Sequence, residues 1–453
     1  MSYIGNNPVT QSFISGTDYF NGTGSQTAFT LSRTVASIND IQVTVNNVVQ
    51  QPNDAYTISG TTLTMTSAPS SGTNNVYVRY LSTTTQAITP SQNTVSWNTL
   101  DSNIQQDLGV MFKNRIINGN MVISQRWGTS AVSDATNTNP YTVDRWSFYG
   151  DPASKVTLQQ NQGSVTPPAG FINYMGLTST SAYSPAAGDA FRFQQIIEGL
   201  NIADLAWGTA SAKTITLSFW VRSSLTGTFG GALSNSSLDR SYPFAYTINS
   251  ANTWEYETIT IPGDITGTWL TTNGNGIRVF LDVGCGTSTK GPAGAWASAF
   301  YAGVTGGTNV VATNGATFQF TGVQLEVGTQ ATTFTTAGGS YGAELQLCQR
   351  YYQKLAGSST PLGIAFSYAN NSVTVGVSLK TTMRATPAID CTTGTDFYSY
   401  QRNGGVDTFN SFSLDQAGSN FVSMFNDAQI SGTAGQAGLV YTGSGSVAFT
   451  AEL

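Results

Sequence analysis

The chain has 453 residues and a mass of 47.8 kDa, and 40% of its residues are hydrophobic, so it can fill the apolar cores of roughly two to four domains. Only 9% of residues are charged, against about 25% in an average globular chain, so Ser, Thr, Asn and Gln must supply the solvated surface. Histidine is absent, which excludes a Ser-His-Asp triad, a Cys-His pair and a His-ligated zinc site built from one chain.

The formal charge is −6 with a pI near 4.7, and the 18 Lys and Arg residues are scattered. No basic stripe exists to neutralise phosphates, so nucleic acid is not an expected partner. Cys285, Cys348 and Cys391 are odd in number and irregularly spaced, as buried thiols of a protein folded in a reducing cytosol would be. The opening MSYIGNNPVTQSF lacks the basic and apolar regions of a secretory signal, and no run of about 18 apolar residues could span a bilayer. Neither membrane insertion nor a cofactor is expected. A role outside the cell would require another exit route.

In chain order, residues 27–31, 41–45, 56–59, 62–65 and 76–81 read as short strands, rich in β-branched residues and separated by Asn, Gly, Pro and Ser. Asn46-Asn47 between two valine-rich runs is a tight hairpin signal, because Asn tolerates positive φ, and Gly60 makes a second joint. Residues 1–85 therefore form an N-terminal β-module. A polar linker then leads into a change of period, where Trp97, Leu100, Ile104, Leu108 and Met111 line one side of a short helix within 86–114. That stripe has no partner in adjacent sequence, and a lone helix this short is marginal in water. Self-association around an axis and docking on a neighbouring domain both satisfy it.

Residues 115–337 return to strands with period-two alternation. Ile215, Leu217, Phe219 and Val221 fall on one face, and Thr216, Ser218, Trp220 and Arg222 on the other. Residues 254–261, 277–283 and 317–325 behave alike. Without long helices between strands, an antiparallel sandwich or jelly roll follows. A second helix, 341–355 within 338–357, carries Tyr341, Leu345, Cys348, Tyr352 and Leu355 at coiled-coil-like spacings with Ser340 as its N-cap, and is read as a second axial contact between chains. Residues 358–453 form a C-terminal β-domain. The whole is all-β with two short helices.

Gly338-Gly-Ser340-Tyr-Gly342 matches the nucleophile-elbow pattern G-x-S-x-G, but no histidine can activate the serine, so helix capping is the reading. The loop 284–291 has Lys290 before its last glycine and no helix after it, unlike a phosphate loop. A carboxylate pair can cleave glycosidic bonds without histidine, and Asp144, Glu198, Asp239, Glu255, Glu257, Asp264 and Asp282 are the available acids. Glu255 and Glu257 share one strand face, about 7 Å apart by strand geometry. Solvated strand carboxylates are the plainer reading.

Aromatic residues carry more. Sugar rings stack on Trp and Tyr while their hydroxyls bind amide and hydroxyl groups. Trp207, Trp269 and Trp296, and the run Phe397, Tyr398, Tyr400 and Arg402, lie in turn-rich or tip-like contexts and are the glycan-binding candidates; Trp146 and Trp254 read as core.

Three stretches resemble tail fibre proteins of tailed bacteriophages: FTLSRTVASINDIQVTVNNVVQQPNDAYTISGTTLTMTSAPSSGTNNVYVRYL, which is similar to the virion-proximal module of podovirus-type fibres; RIINGNMVISQRW followed by YTVDRWSFYG, similar to the opening of a fibre jelly roll; and FQFTGVQLEVGTQATTFTTAGGSYGAELQLCQRYYQK, similar to its end. The resemblance implies an elongated homotrimer, attached through its N-terminal module to a tail, baseplate or adaptor protein. Its distal part would contact host surface polysaccharide or lipopolysaccharide without cleaving it. It further implies residence in the virion after assembly in the host cytoplasm and release by lysis. A tailspike-type depolymerase and a purely structural spacer are the rival readings.

Overall fold

A computed structural model describes residues 16–81, 113–134 and 139–453. The chain divides into two units, Met1–Asp101 and Ser102–Leu453.

In the first unit all five predicted strands form. The strands Thr17–Gly22, Gly72–Tyr80, Ile41–Val45 and Val48–Val49 make one antiparallel sheet in that spatial order, and Ala28–Thr30, Thr62–Met65 and Tyr56–Ser59 make a second. The hairpin turns where expected, with φ 51° at Asn46 and 64° at Asn47, the left-handed conformation that Asn accepts. Alternation along both sheets buries Phe29, Val43, Tyr56, Leu63, Val76 and Val78 in one core. The predicted helix bearing Trp97, Leu100, Ile104, Leu108 and Met111 lies outside the described residues.

The second unit is built on a sandwich of two six-stranded antiparallel sheets. One runs Ser241–Ile248, Gly227–Ser234, Asn275–Asp282, Ala190–Glu198, Trp146–Asp151, Tyr141–Val143 in spatial order; the other runs Glu255–Ile261, Ile215–Ser223, Thr317–Val327, Met175–Ser179, Val156–Gln160, Val132–Ser133. The alternation predicted for 215–222 holds: Ile215, Leu217, Phe219 and Val221 point inward and are buried, facing Phe193, Phe229, Val279 and Leu281 of the other sheet. Each such side chain removed from water contributes about 1.5–3 kcal/mol, which fixes the strand register, since a one-residue slip would turn every one of them outward.

The helix at Tyr341 corrects the sequence reading. Ser340 caps it as expected, its hydroxyl accepting from the Ala343 N–H at 3.3 Å, but the helix ends at Gln349 and the chain enters a strand, Tyr352–Ala356. Tyr352 and Leu355 therefore do not continue a helical seam. That strand pairs with Val447–Thr450, and Gln353, fully buried, bonds to the Thr381 carbonyl and accepts from the Lys380 N–H. Strand pairing from about one hundred residues away decides a segment whose periodicity fits helix or strand equally. Nor does the seam await a sister chain. Cys348 is fully buried beside Ile117, Ile123, Ala337 and Tyr351 of the same chain, Leu345 packs on that cluster, Tyr352 is buried, Leu355 packs on the C-terminal core, and Tyr341 is exposed. Glu344 reinforces the docking by accepting the N–H groups of Asn118 and Gly338.

Beyond it, seven antiparallel strands form one sheet and Tyr352–Ala356, Val447–Thr450 and Ala388–Ile389 form another, closing over a core of Val375, Tyr398, Tyr400, Phe409, Met424 and Phe449. This C-terminal β-region is tied to the sandwich by ion pairs, the partly exposed Arg350 with the buried Glu198 and the buried Arg145 with Glu452. The seven-stranded sheet leaves Ile364, Phe366, Val406, Phe421 and Leu439 exposed on its outer face.

Candidate ligand-binding cleft

The alternation that buries Phe219 and Val221 sends Trp220 and Arg222 to the outer face of their sheet. Across the ladder Trp220 faces Tyr256 on one side and Thr321 on the other, and Arg222 faces Gln319. The Trp220 and Tyr256 rings lie 5.2 Å apart at 46°, with Tyr256 44% exposed. Two covering segments complete a concave surface. The loop before Met175 brings Phe171, and the segment after Val327 brings Phe334; their rings meet edge to face at 5.1 Å.

Gly322 makes this approach possible. Its φ is +64°, and a Cβ there would sit 2.6 Å from Phe171 Cζ and 3.2 Å from Trp220 Cδ1. The segment 331–335 is held down by Glu326, which accepts from the Thr332 N–H at 2.8 Å and its hydroxyl at 2.7 Å, and by Gln324, which accepts from the Thr335 N–H at 2.9 Å. Nearby, Arg222 donates to Gln319 Oε1 at 3.1 Å and to the Asn252 carbonyl at 3.0 Å, while Trp254 packs edge-on against Tyr174 and donates to the Thr166 carbonyl.

Two hollows flank the Phe171–Phe334 pair. One, about 510 Å³, is lined by Trp220, Tyr256 and the chain at 331–334. The other, about 390 Å³, is lined by Asn120, Ile172, Thr336, Ser340, Tyr341 and Glu344. Partly exposed rings beside Thr, Asn and backbone groups suit a ligand with both apolar C–H faces and hydroxyls.

The residues singled out from sequence lie elsewhere. Trp207, Trp269 and Trp296 do come together, in a three-ring cluster with centroids 4.7, 5.3 and 5.4 Å apart, but as packing: Trp207 and Trp269 are buried, and the indole N–H groups are taken by the Lys213 carbonyl, Asp264 and the Pro262 carbonyl. Strand alternation within Tyr398–Arg402 turns Tyr398 and Tyr400 fully inward, their hydroxyls donating to the carbonyls of Thr392 and Gln436. Phe397 packs on the same core, and Arg402 is held by Asp407 at 2.6 Å and Ser431 at 2.7 Å. Trp146 is core as expected, whereas Trp254 is only partly buried.

Carboxylates are likewise committed to structure. Burial pushes the Asp144 carboxyl up to about 6, although Gln125 donates to it from both backbone and side chain. Asp239 accepts from Asn235, Asp264 is gripped by Arg240 at 3.0 and 2.5 Å, and Asp282 accepts the N–H groups of Gly284 and Cys285. Glu255 accepts from Asn249 and Ser250. Burial, and then the charge of Glu255, raise Glu257 to about 6. Glu255 and Glu257 share a strand face, as read from sequence, but it is the face opposite Tyr256 and so turned away from the cleft. Lys290 donates to Gly307 and Asn309 and holds its own loop together.

Sequence reasoning missed Phe171, Trp220, Tyr256 and Phe334. For Trp220 the signal was present: a tryptophan on the face otherwise made of Thr, Ser and Arg. For Phe171 and Phe334, in loops 163 residues apart, there was none.

No family model matches the chain, and no curated protein does. Among solved structures, one described as "CBM4 structure and function" aligns over 47% of this chain and 98% of its own at 14% identity with a TM-score of 0.25. A putative sugar-binding protein from Bacteroides thetaiotaomicron aligns over 48% and 100% at 11% identity, TM-score 0.29. The enzymatically active domain of bacteriophage CBA120 tailspike protein 4 aligns over 48% of this chain but 22% of its own, at 13% identity, TM-score 0.26.

Proposed function

We propose that the protein is a glycan-binding adhesion protein of the phage tail-fibre kind, taking a surface saccharide in the cleft between Trp220, Tyr256, Phe171 and Phe334. The observation that carries this is the row of partly exposed rings on an outward sheet face, bordered by hydroxyl and amide groups. Binding without cleavage is the favoured reading, because Glu255 and Glu257 point away from the rings. Glu344 at the second hollow is engaged by the N–H groups of Asn118 and Gly338, and Glu326 under the 331–335 segment by Thr332. The segments similar to phage fibres support attachment through the N-terminal module and a trimeric virion component. The Tyr341 helix lends that trimer no support, since its apolar residues are satisfied within one chain.

The test is calorimetric titration of host surface oligosaccharide into the full chain and its Trp220→Ala and Tyr256→Ala variants. Each ring gives about half of a full aromatic burial to a ligand, so each variant should bind about tenfold more weakly, while loss of the Trp220–Tyr256 contact lowers the melting temperature by a few degrees and leaves the protein folded at room temperature. Equal affinity in all three proteins refutes the cleft. Reducing-end assay of the same mixtures addresses cleavage, and steady release of new ends would overturn the non-cleaving reading. Mass measurement in solution should return about three times 47.8 kDa.

A further inference from the structure

The other sheet of the sandwich has its own outward face, and it carries two arginines without an ion-pair partner of their own among the described residues. Phe193 points into the core, so Arg192 and Gln194 of the Ala190–Glu198 strand point out; on the adjacent Asn275–Asp282 strand Val279 and Leu281 point in, and Arg278 and Phe280 out. In the ladder Gln194 faces Phe280 and Ile196 faces Arg278, which makes Gln194 and Arg278 diagonal neighbours about 7 Å apart. Arg192 is nine-tenths buried, its guanidinium 4.4 Å from the Tyr149 ring, 4.9 Å from Phe280 and 5.5 Å from Phe300.

Neither arginine makes an ion pair among the described residues, and the Nε of each is buried without a hydrogen-bond partner. Asp282 sits opposite Arg192 in the ladder but accepts from Gly284 and Cys285 at 2.8 and 2.7 Å and lies 3.4 Å from Lys290. The Cys285 thiol is the other polar group beside Arg192. A buried cation whose facing carboxylate is already shared with Lys290 and two N–H groups is costly, and the partly buried Arg278 adds a second positive charge to the same face. Guanidinium forks match carboxylate and phosphate oxygens, and the partly exposed Tyr149 ring and the Gln194 amide suit a sugar ring beside them. We propose that Arg192, Gln194, Arg278 and Tyr149 form a second saccharide site, selective for a sugar bearing an oxyanion and independent of the aromatic cleft on the opposite sheet.

The full chain is titrated with an oligogalacturonate, a phosphodiester-linked oligosaccharide, a neutral gluco-oligosaccharide and inorganic phosphate. At least one acidic saccharide should bind ten times or more tighter than the neutral one, weaken on raising salt from 0.05 to 0.5 M, and weaken at least tenfold in Arg278→Gln. The carboxylate and phosphodiester arms identify which oxyanion is preferred. Gln194→Ala, a smaller change, should weaken binding at least threefold and serves should Arg278→Gln fail to fold. Trp220→Ala should leave acidic-sugar binding unchanged, so that failure of the cleft and failure of this site read out separately. The proposal is overturned if neither acidic saccharide outbinds the neutral one, if inorganic phosphate binds but no saccharide does, or if well-folded Arg278→Gln and Gln194→Ala proteins bind like the parent.

Discussion

Replacing Arg350 by alanine removes one of the ion pairs that tie the C-terminal region to the sandwich. Glu198 is 1% exposed at its side chain and accepts from Arg350 Nε at 2.9 Å, from Arg350 Nη2 at 2.6 Å and from the Tyr351 hydroxyl at 2.7 Å. Breaking a fully buried ion pair costs about 3–5 kcal/mol, because the remaining charge keeps its desolvation penalty. Arg350 is 30% exposed, so water can enter the gap, and a loss of about 2–3 kcal/mol is expected. The pH dependence gives an independent signature. Burial pushes the Glu198 carboxyl upward, but the bonds from Arg350 and Tyr351 outweigh it and hold it below its ordinary 4.5. A folded-state value below the unfolded one means that Glu198 stabilises the parent above pH 4.5, and that this contribution fades as pH falls through the folded value. In Arg350→Ala burial dominates, the sign reverses, and the loss should be larger at pH 7 than at pH 4. Urea unfolding followed by tryptophan fluorescence at both pH values measures this. A loss below about 0.5 kcal/mol at pH 7, or equal losses at the two pH values, would refute the reasoning.

Trp207→Ala should cost about 3–5 kcal/mol of stability by opening the three-tryptophan cluster, seen as a lowered urea midpoint, with glycan affinity unchanged in the fraction that remains folded. Gly322→Ala should both destabilise the sandwich by about 1–2 kcal/mol and weaken cleft binding, because the new methyl displaces Phe171; calorimetry and thermal melts should move together. Glu257→Gln should stabilise the protein at pH 7 by up to about 1 kcal/mol after allowance for solvent exposure: its folded value of about 6 lies above the ordinary 4.5, so the parent loses stability as pH rises through that window, and the variant should not. Burial drives the Cys348 thiol far above its usual range and Cys285 upward as well, so neither should react with a thiol reagent until the protein unfolds.

Strand segments were legible wherever a period-two pattern met clear turn chemistry. The 215–222 strand was readable face by face, and the Asn46-Asn47 turn was readable down to its backbone conformation. The Tyr341 helix was legible only at its start, where Ser340 supplies a local cap. Its end was not, because the partner of Tyr352–Ala356 is the strand Val447–Thr450. The misplaced glycan candidates have the same cause. Trp207, Trp269 and Trp296 stand in turn-rich sequence, but turns 62 and 27 residues apart converge, and three rings that meet exclude water from one another.

By itself, the sequence determined what this protein could be made of: β-layers rich in hydroxyl and amide side chains, without histidine. Composition and local periodicity suffice for that, because they set which groups exist and which face of each strand is apolar. Only the tertiary structure decided which aromatics remain open to a ligand and where the helix finds its partners. Exposure belongs to the packing of distant segments: Trp220 is left beside a hollow because Phe171 and Phe334 arrive over Gly322, and Cys348 is closed off because residues 117 and 123 reach it first.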